Sequence, residues 1–245
     1  MAGDSNKYKD QIRFTISRIR DLIYGVTFDP KTKSGKVIVN ISSINEDDLR
    51  ETLNIFSKTL SGGFSISPYI KTEPLGNGGE IAIYTICSMT IDGVLLKHGI
   101  PTNPRGGGII QVTKERPIRF TDFLDYKSTT IDPLEILMSQ QLTSVTKAIE
   151  TGSGKILANI REIPLVAKEY AEQVLDELGK ADIDGVIKIG EPNSDALGLS
   201  VGRDHIGIVV LGGTNPLAAI LEAGINVRTR AISDLMDISE LGKMV

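Results

Sequence analysis

Short stretches of this chain occur twice, in the same order. Gly35-Lys36-Val37-Ile38-Val39-Asn40-Ile41 corresponds to Gly154-Lys155-Ile156-Leu157-Ala158-Asn159-Ile160, 119 residues further on. Ile83 to Ile100 lies without a gap on Ile208 to Ile225, 125 residues on, and the block from Phe120 to Asp125 echoes that from Ile232 to Asp237, 112 residues on. Blocks repeated in a fixed order call for a fold that can be built twice on one plan. The expectation is an α/β chain, with mixed sheets of α+β type, in which internally duplicated βαββα units form one pseudo-symmetric domain. On this reading residues 1–34 are an N-terminal helix and turn, 35–126 the first copy, 127–153 a connecting helix and 154–245 the second copy. A binding surface in such a fold is expected where the copies face each other.

A chain of 245 residues has room for a sizeable core. Its net charge of −4 gives the whole no electrostatic footprint for nucleic acid. Only the first 36 residues are basic, with eight Lys/Arg against four Asp, which reads as a solvated helix face. The single cysteine, Cys87, rules out an internal disulfide, and two histidines with one cysteine make a dedicated zinc or iron site a poor expectation. No cofactor is expected. No apolar run approaches the roughly 20 residues of a bilayer span, and the start is not a signal peptide, so a cytoplasmic location without membrane contact is expected.

Ile12, Ile16, Ile19 and Ile23 have helical spacing over Tyr8 to Tyr24. The first copy is predicted to run strand, helix, strand, strand, short helix. Asn45 is a candidate N-cap of its long helix, Leu49, Leu53, Phe56 and Leu60 the buried stripe, and Gly62-Gly63 the stop. In the second copy Pro164 suits a first helical position, with Val166, Tyr170, Val174, Leu175 and Leu178 facing inward. Asp132-Pro133 opens one connecting helix reaching Ile149, with Asp132 and Glu135 placed as reciprocal caps.

The candidate binding residues lie in the two turns that follow a strand and open a short helix. In Gly212-Gly213-Thr214-Asn215-Pro216, Asn215 is a preferred N-cap, and the glycines let main chain approach a ligand. A helix start favours a carboxylate or phosphate. The matching turn is Cys87-Ser88-Met89-Thr90, with Thr90 where Asn215 stands. Both helices close on Gly-Ile, at Gly99-Ile100 and Gly224-Ile225. The plain alternative is that the turns only cap helices. Arg105, before Gly106-Gly107-Gly108, sits in what reads as a flexible basic loop able to close over an anion, or simply a connection; Arg203 is a second candidate clamp. Cys87 is either a thiol activated by a helix start or a small buried filler, and without a paired histidine the filler is preferred. Gly152-Ser153-Gly154-Lys155 lacks the phosphate-loop pattern, and no Ser-His-Asp order, HExxH or GxSxG is present.

Taken together, Thr27-Phe28-Asp29-Pro30 before Gly-Lys-Val-Ile-Val-Asn, Cys87-Ser88 with Gly93-Val94-Leu95-Leu96 and Gly99-Ile100-Pro101, and Gly212-Gly213-Thr214-Asn215-Pro216 resemble the regulatory domain of the NrpR nitrogen-repressor family of methanogenic archaea, from about Ile12 to the C-terminus. The resemblance implies a non-enzymatic sensor of 2-oxoglutarate that works as a homodimer or higher oligomer and releases nitrogen-assimilation operators when the effector binds. It also implies DNA contact through a winged helix, for which there is no room before Tyr8. The expected effector site is Cys87, Ser88 and Thr90 with Gly212, Gly213, Thr214 and Asn215, clamped by Arg105. An enzyme acting on a carboxylate or phosphate in the same cleft is the alternative, and a purely structural dimerisation module a third.

Overall fold

The computed structural model describes residues 13–76, 78–192 and 194–244. Ile12 and the part of the expected first helix before residue 13 lie outside them. Helix α1 (Thr15–Gly25) buries Ile16, Ile19 and Ile23, as their spacing requires. Asp29 then bridges Ser34 in the turn before β1 (Lys36–Asn45). There follow α2 (Leu49–Ser61), β2 (Tyr69–Pro74), β3 (Glu80–Ile86), α3 (Met89–Lys97), β4 (Asn103–Thr113) and β5 (Arg116–Asp125). Two short helices, α4 (Pro133–Ser139) and α5 (Val145–Thr151), lead to β6 (Gly154–Pro164), α6 (Lys168–Lys180), β7 (Val186–Ile189), β8 (His205–Leu211), α7 (Asn215–Glu222), β9 (Arg228–Asp237) and β10 (Gly242–Lys243).

The strands form two five-stranded antiparallel sheets, ordered β10-β2-β3-β1-β9 and β5-β4-β6-β8-β7. The orders β2-β3-β1-β9 and β7-β8-β6-β4 follow one pattern. In each, the strand beside the central one comes from the other half of the chain: β9 pairs with β1, and β4 with β6. The two halves therefore share both sheets, and their apolar side chains run together in one core. The third repeated block does not correspond in space. Residues 120–125 lie in the edge strand β5, whereas 232–237 pair with β1, in the place that β4 takes beside β6.

Several local expectations change. The predicted loop at Arg105 to Gly108 is part of β4. A methyl at Gly106 or Gly108 would stand 2.2 or 2.3 Å from the carbonyl oxygen of Leu124 or Asp122, so the glycines are there for close backbone approach within a strand. The connecting helix breaks in two at Gln141, which has φ +53°, and the carboxylate of Glu222 accepts from the N–H groups of Val145 and Thr146 at the second start. Asp132 caps α4 through Leu134 and Glu135 N–H, but Glu135 turns away to accept from Ala231 N–H. A 3-10 turn, Glu46–Asp48, precedes α2, and Asn45 makes no side-chain cap. The buried residues of α2 are Thr52, Ile55, Phe56 and Thr59; of the predicted stripe Phe56 is among them, while Leu49 and Leu53 pack half-buried against the core. Pro164 ends β6, and Val166, 96% exposed, does not face the core.

Candidate functional site

The turns after β3 and β8 meet in the interior. A methyl at Gly213 would lie 2.6 Å from the Ile86 carbonyl oxygen, 3.2 Å from Asn40 Nδ2 and 3.4 Å from Cys87 Cα. Only glycine permits that approach. Between the turns lies a small chamber lined by Asn40, Cys87, Ser88, Tyr126, Asp132, Asn159, Gly213 and Thr214, together with the apolar Met89, Leu134, Ala231 and Ile232. The centre of a water molecule can occupy only about 10 Å³ of it, which is room for about one water.

Each turn is held by a side chain that clips the central strand of its own half. Thr90 Oγ1 accepts from Ile38 N–H at 3.0 Å and donates to the Ile38 carbonyl at 3.2 Å. Asn215 Oδ1 accepts from Leu157 N–H at 2.8 Å, and its Nδ2 donates to the Leu157 carbonyl at 2.9 Å. Ile38 and Leu157 are positions matched by the 119-residue offset. Asn215 is thus not a cap of α7: the cap position is Thr214, and Asn215 is the first helical residue. Gly212 packs on Leu157 and Leu134. The helices end alike, with Ile100 N–H on the Leu95 carbonyl and Ile225 N–H on that of Ile220.

Arg105 does not join the turns. It pairs with Glu162, which also accepts from Asn103 Nδ2 and Gly202 N–H. Side chains alternate across a strand, so Glu162 points away from the face of β6 that carries Asn159 and Arg161. Arg203 stays at the surface beside Asp204. The positions that sequence reasoning missed are Asn159, Arg161, Tyr126 and Asp132. Asn159 Nδ2 donates to Ser88 Oγ at 2.6 Å, while Asn159 Oδ1, Tyr126 OH and Thr214 Oγ1 are buried with no partner among the described residues. Buried polar atoms are rarely left so. Asn159 lies within the first repeated block, and its polarity on an apolar strand is the signal the sequence offers.

Burial pushes the Cys87 thiol up to about 12, so it stays protonated at neutral pH, as suits a buried filler. Burial also raises the Tyr126 phenol well above its ordinary value. Asp132 is pushed up to about 6 by burial, held back by the N–H groups of Leu134 and Glu135. The folded chain therefore binds more protons than the unfolded one between about pH 4 and 6, and stability falls as pH rises through that window. Urea unfolding should show this group contributing about 1–2 kcal/mol more stability at pH 5 than at pH 7, a difference absent in Asp132→Asn.

Residues 12–243 match the family described as NrpR regulatory domains NRD1 and 2. The chain belongs to this family. It is 39% identical over 234 residues to the global nitrogen regulator NrpRI of Methanosarcina mazei, covering 93% of this chain and 72% of that protein. It is 32% identical to the global nitrogen regulator NrpR of Methanococcus maripaludis, covering 97% of this chain and 42% of the relative. The NrpR of Methanocaldococcus jannaschii is 31% identical, with 97% and 41% covered. The chain thus spans about two fifths of the length of these last two. The crystal structure of a nitrogen repressor-like protein from Methanococcus jannaschii matches with a TM-score of 0.83 and 31% identity, over 95% of this chain and 99% of that one. The family and the relatives are regulators, and this chain, as a member of that family, is not an enzyme. Among the described residues no helix is long and apolar enough to cross a membrane.

Proposed function

We propose that this chain is the effector-sensing part of a repressor of nitrogen-assimilation genes, that 2-oxoglutarate binds at the junction of the two turns, and that binding alters the geometry of a homodimer so that the operator is released. The observation that carries the reading is the chamber itself: polar atoms without partners, contributed by both halves of the chain, around a space for about one water. A five-carbon dianion cannot enter until the two turns move apart. Its binding free energy then falls on the parted arrangement alone, and a ligand shifts a conformational equilibrium only by such a difference. The ligand-lining residues in this reading are Cys87, Ser88, Gly213 and Thr214 from the two turns, joined by Tyr126 and Asn159. Thr90, Gly212 and Asn215 hold the turns in place. DNA is contacted by a separate winged-helix domain, and the protein works in the cytoplasm.

Titration calorimetry with 2-oxoglutarate tests this. Saturable binding is expected, with affinity lowered about tenfold or more in Thr214→Val, which removes one unpartnered hydroxyl. Absence of binding to the wild-type protein, or unchanged affinity in the variant, would overturn it.

A further inference from the structure

Arg161 is fully buried, and its guanidinium is only partly used. Nε lies 3.3 and 3.1 Å from the two carboxylate oxygens of Asp92, and Nη2 lies 2.9 Å from Oδ2. Asp92 is itself fully buried, while Nη1 of Arg161 has no partner among the described residues. Arg161 stands two residues beyond Asn159 on β6 and so shares its face. Asp92 stands one turn beyond Ser88 on α3. The contacts Asn159–Ser88 and Arg161–Asp92 are therefore consecutive rungs between one strand and one helix, and the first rung lines the chamber. The charge of Arg161 is felt at two of the chamber's walls, where it works against the rise of the Cys87 and Tyr126 values.

The positions that align with this pair by the repeat offsets are Ser42 and Leu217, which carry no charge. The ion pair is thus a feature of one half only, and shape does not require it. Burying two charges costs several kcal/mol, which mutual attraction repays only when the remaining hydrogen-bonding sites are filled. Here one is not.

We infer that Arg161 is the cation that receives a carboxylate of the effector through its free Nη1, and that Asp92 holds the guanidinium in position until the ligand arrives. This rests on the reading that the chamber binds a dicarboxylate. It adds a consequence of definite sign: the charge of Asp92 competes with the ligand for Arg161, so neutralising Asp92 strengthens binding.

Calorimetry would compare 2-oxoglutarate with the monocarboxylate 2-oxopentanoate on three proteins: wild type, Asp92→Asn, and the double variant Arg161→Gln/Asp92→Asn. The double variant keeps a hydrogen-bonded, neutral rung and so guards against loss of folding, which thermal melts would monitor. Asp92→Asn should bind 2-oxoglutarate about tenfold more tightly, and the double variant about tenfold to a hundredfold more weakly than wild type, near its affinity for the monocarboxylate. If wild type binds 2-oxoglutarate but the double variant binds it within threefold, or Asp92→Asn weakens it, Arg161 is not the receiving cation and the chamber reading stands. If wild type binds no dicarboxylate, both readings fall together.

Discussion

Asp92→Ala should lower the stability of this protein by about 3–5 kcal/mol, the usual cost of stranding one member of a buried ion pair. The side chains of Asp92 and Arg161 are both fully enclosed, so the guanidinium left behind is cut off from bulk solvent. Its Nε and Nη2 would join Nη1 without partners. Replacing both members with apolar residues, as in Arg161→Met/Asp92→Leu, should recover most of the loss, because it removes the uncompensated charge as well as the attraction. Urea unfolding of the single and double variants measures both effects. A double variant as unstable as Asp92→Ala would show that packing, not charge, holds this contact.

Asn215→Leu should cost about 2–4 kcal/mol, since both amide groups of Asn215 are spent on Leu157 and leucine leaves the Leu157 N–H buried without that acceptor. The carbonyl of Leu157 keeps a second donor, the Gly212 N–H at 2.8 Å. The deficit therefore falls on one amide, and hydrogen exchange at Leu157 should speed up more than at its neighbours on β6. Thr90→Val, which breaks the matching clip on Ile38, should follow the same pattern with a smaller loss, because one hydroxyl rather than a whole amide is removed. Equal exchange at Leu157 in wild type and Asn215→Leu would remove the clip as the anchor of the turn.

Much of the fold could be read from local pattern. The strand and helix order of each half, the turn at Asp29, the cap of α4 by Asp132 and the paired Gly-Ile helix endings depend on residues close together in the chain, whose geometry is set by local hydrogen bonds. What local pattern misassigned shares one cause. Gly106 to Gly108 look like a loop to any propensity argument, yet they form a strand because β5 and α4 press against them. The predicted stripe of α2 is apolar at helical spacing, yet tertiary packing encloses Thr52 and Thr59 more fully than Leu49 and Leu53.

The same division runs through the site. Cys87, Ser88, Gly213 and Thr214 could be named from the repeat, because two turns at matched positions differ in side chains while their flanks agree. Arg105 could not be placed, since its partner Glu162 lies 57 residues away in a strand that pairs with its own. Nor could the contacts of Asn159 and Arg161 be seen, for their partners Ser88, which precedes α3, and Asp92, within it, lie about 70 positions earlier. The chain's own order of residues settled the elements, their repetition and the two turns. Only the exchange of β4 and β9 between the sheets brought those turns together around a small chamber and set the buried Arg161 two residues beyond Asn159 of its wall, because such contacts are long-range, and no local propensity encodes which strand will lie next to which.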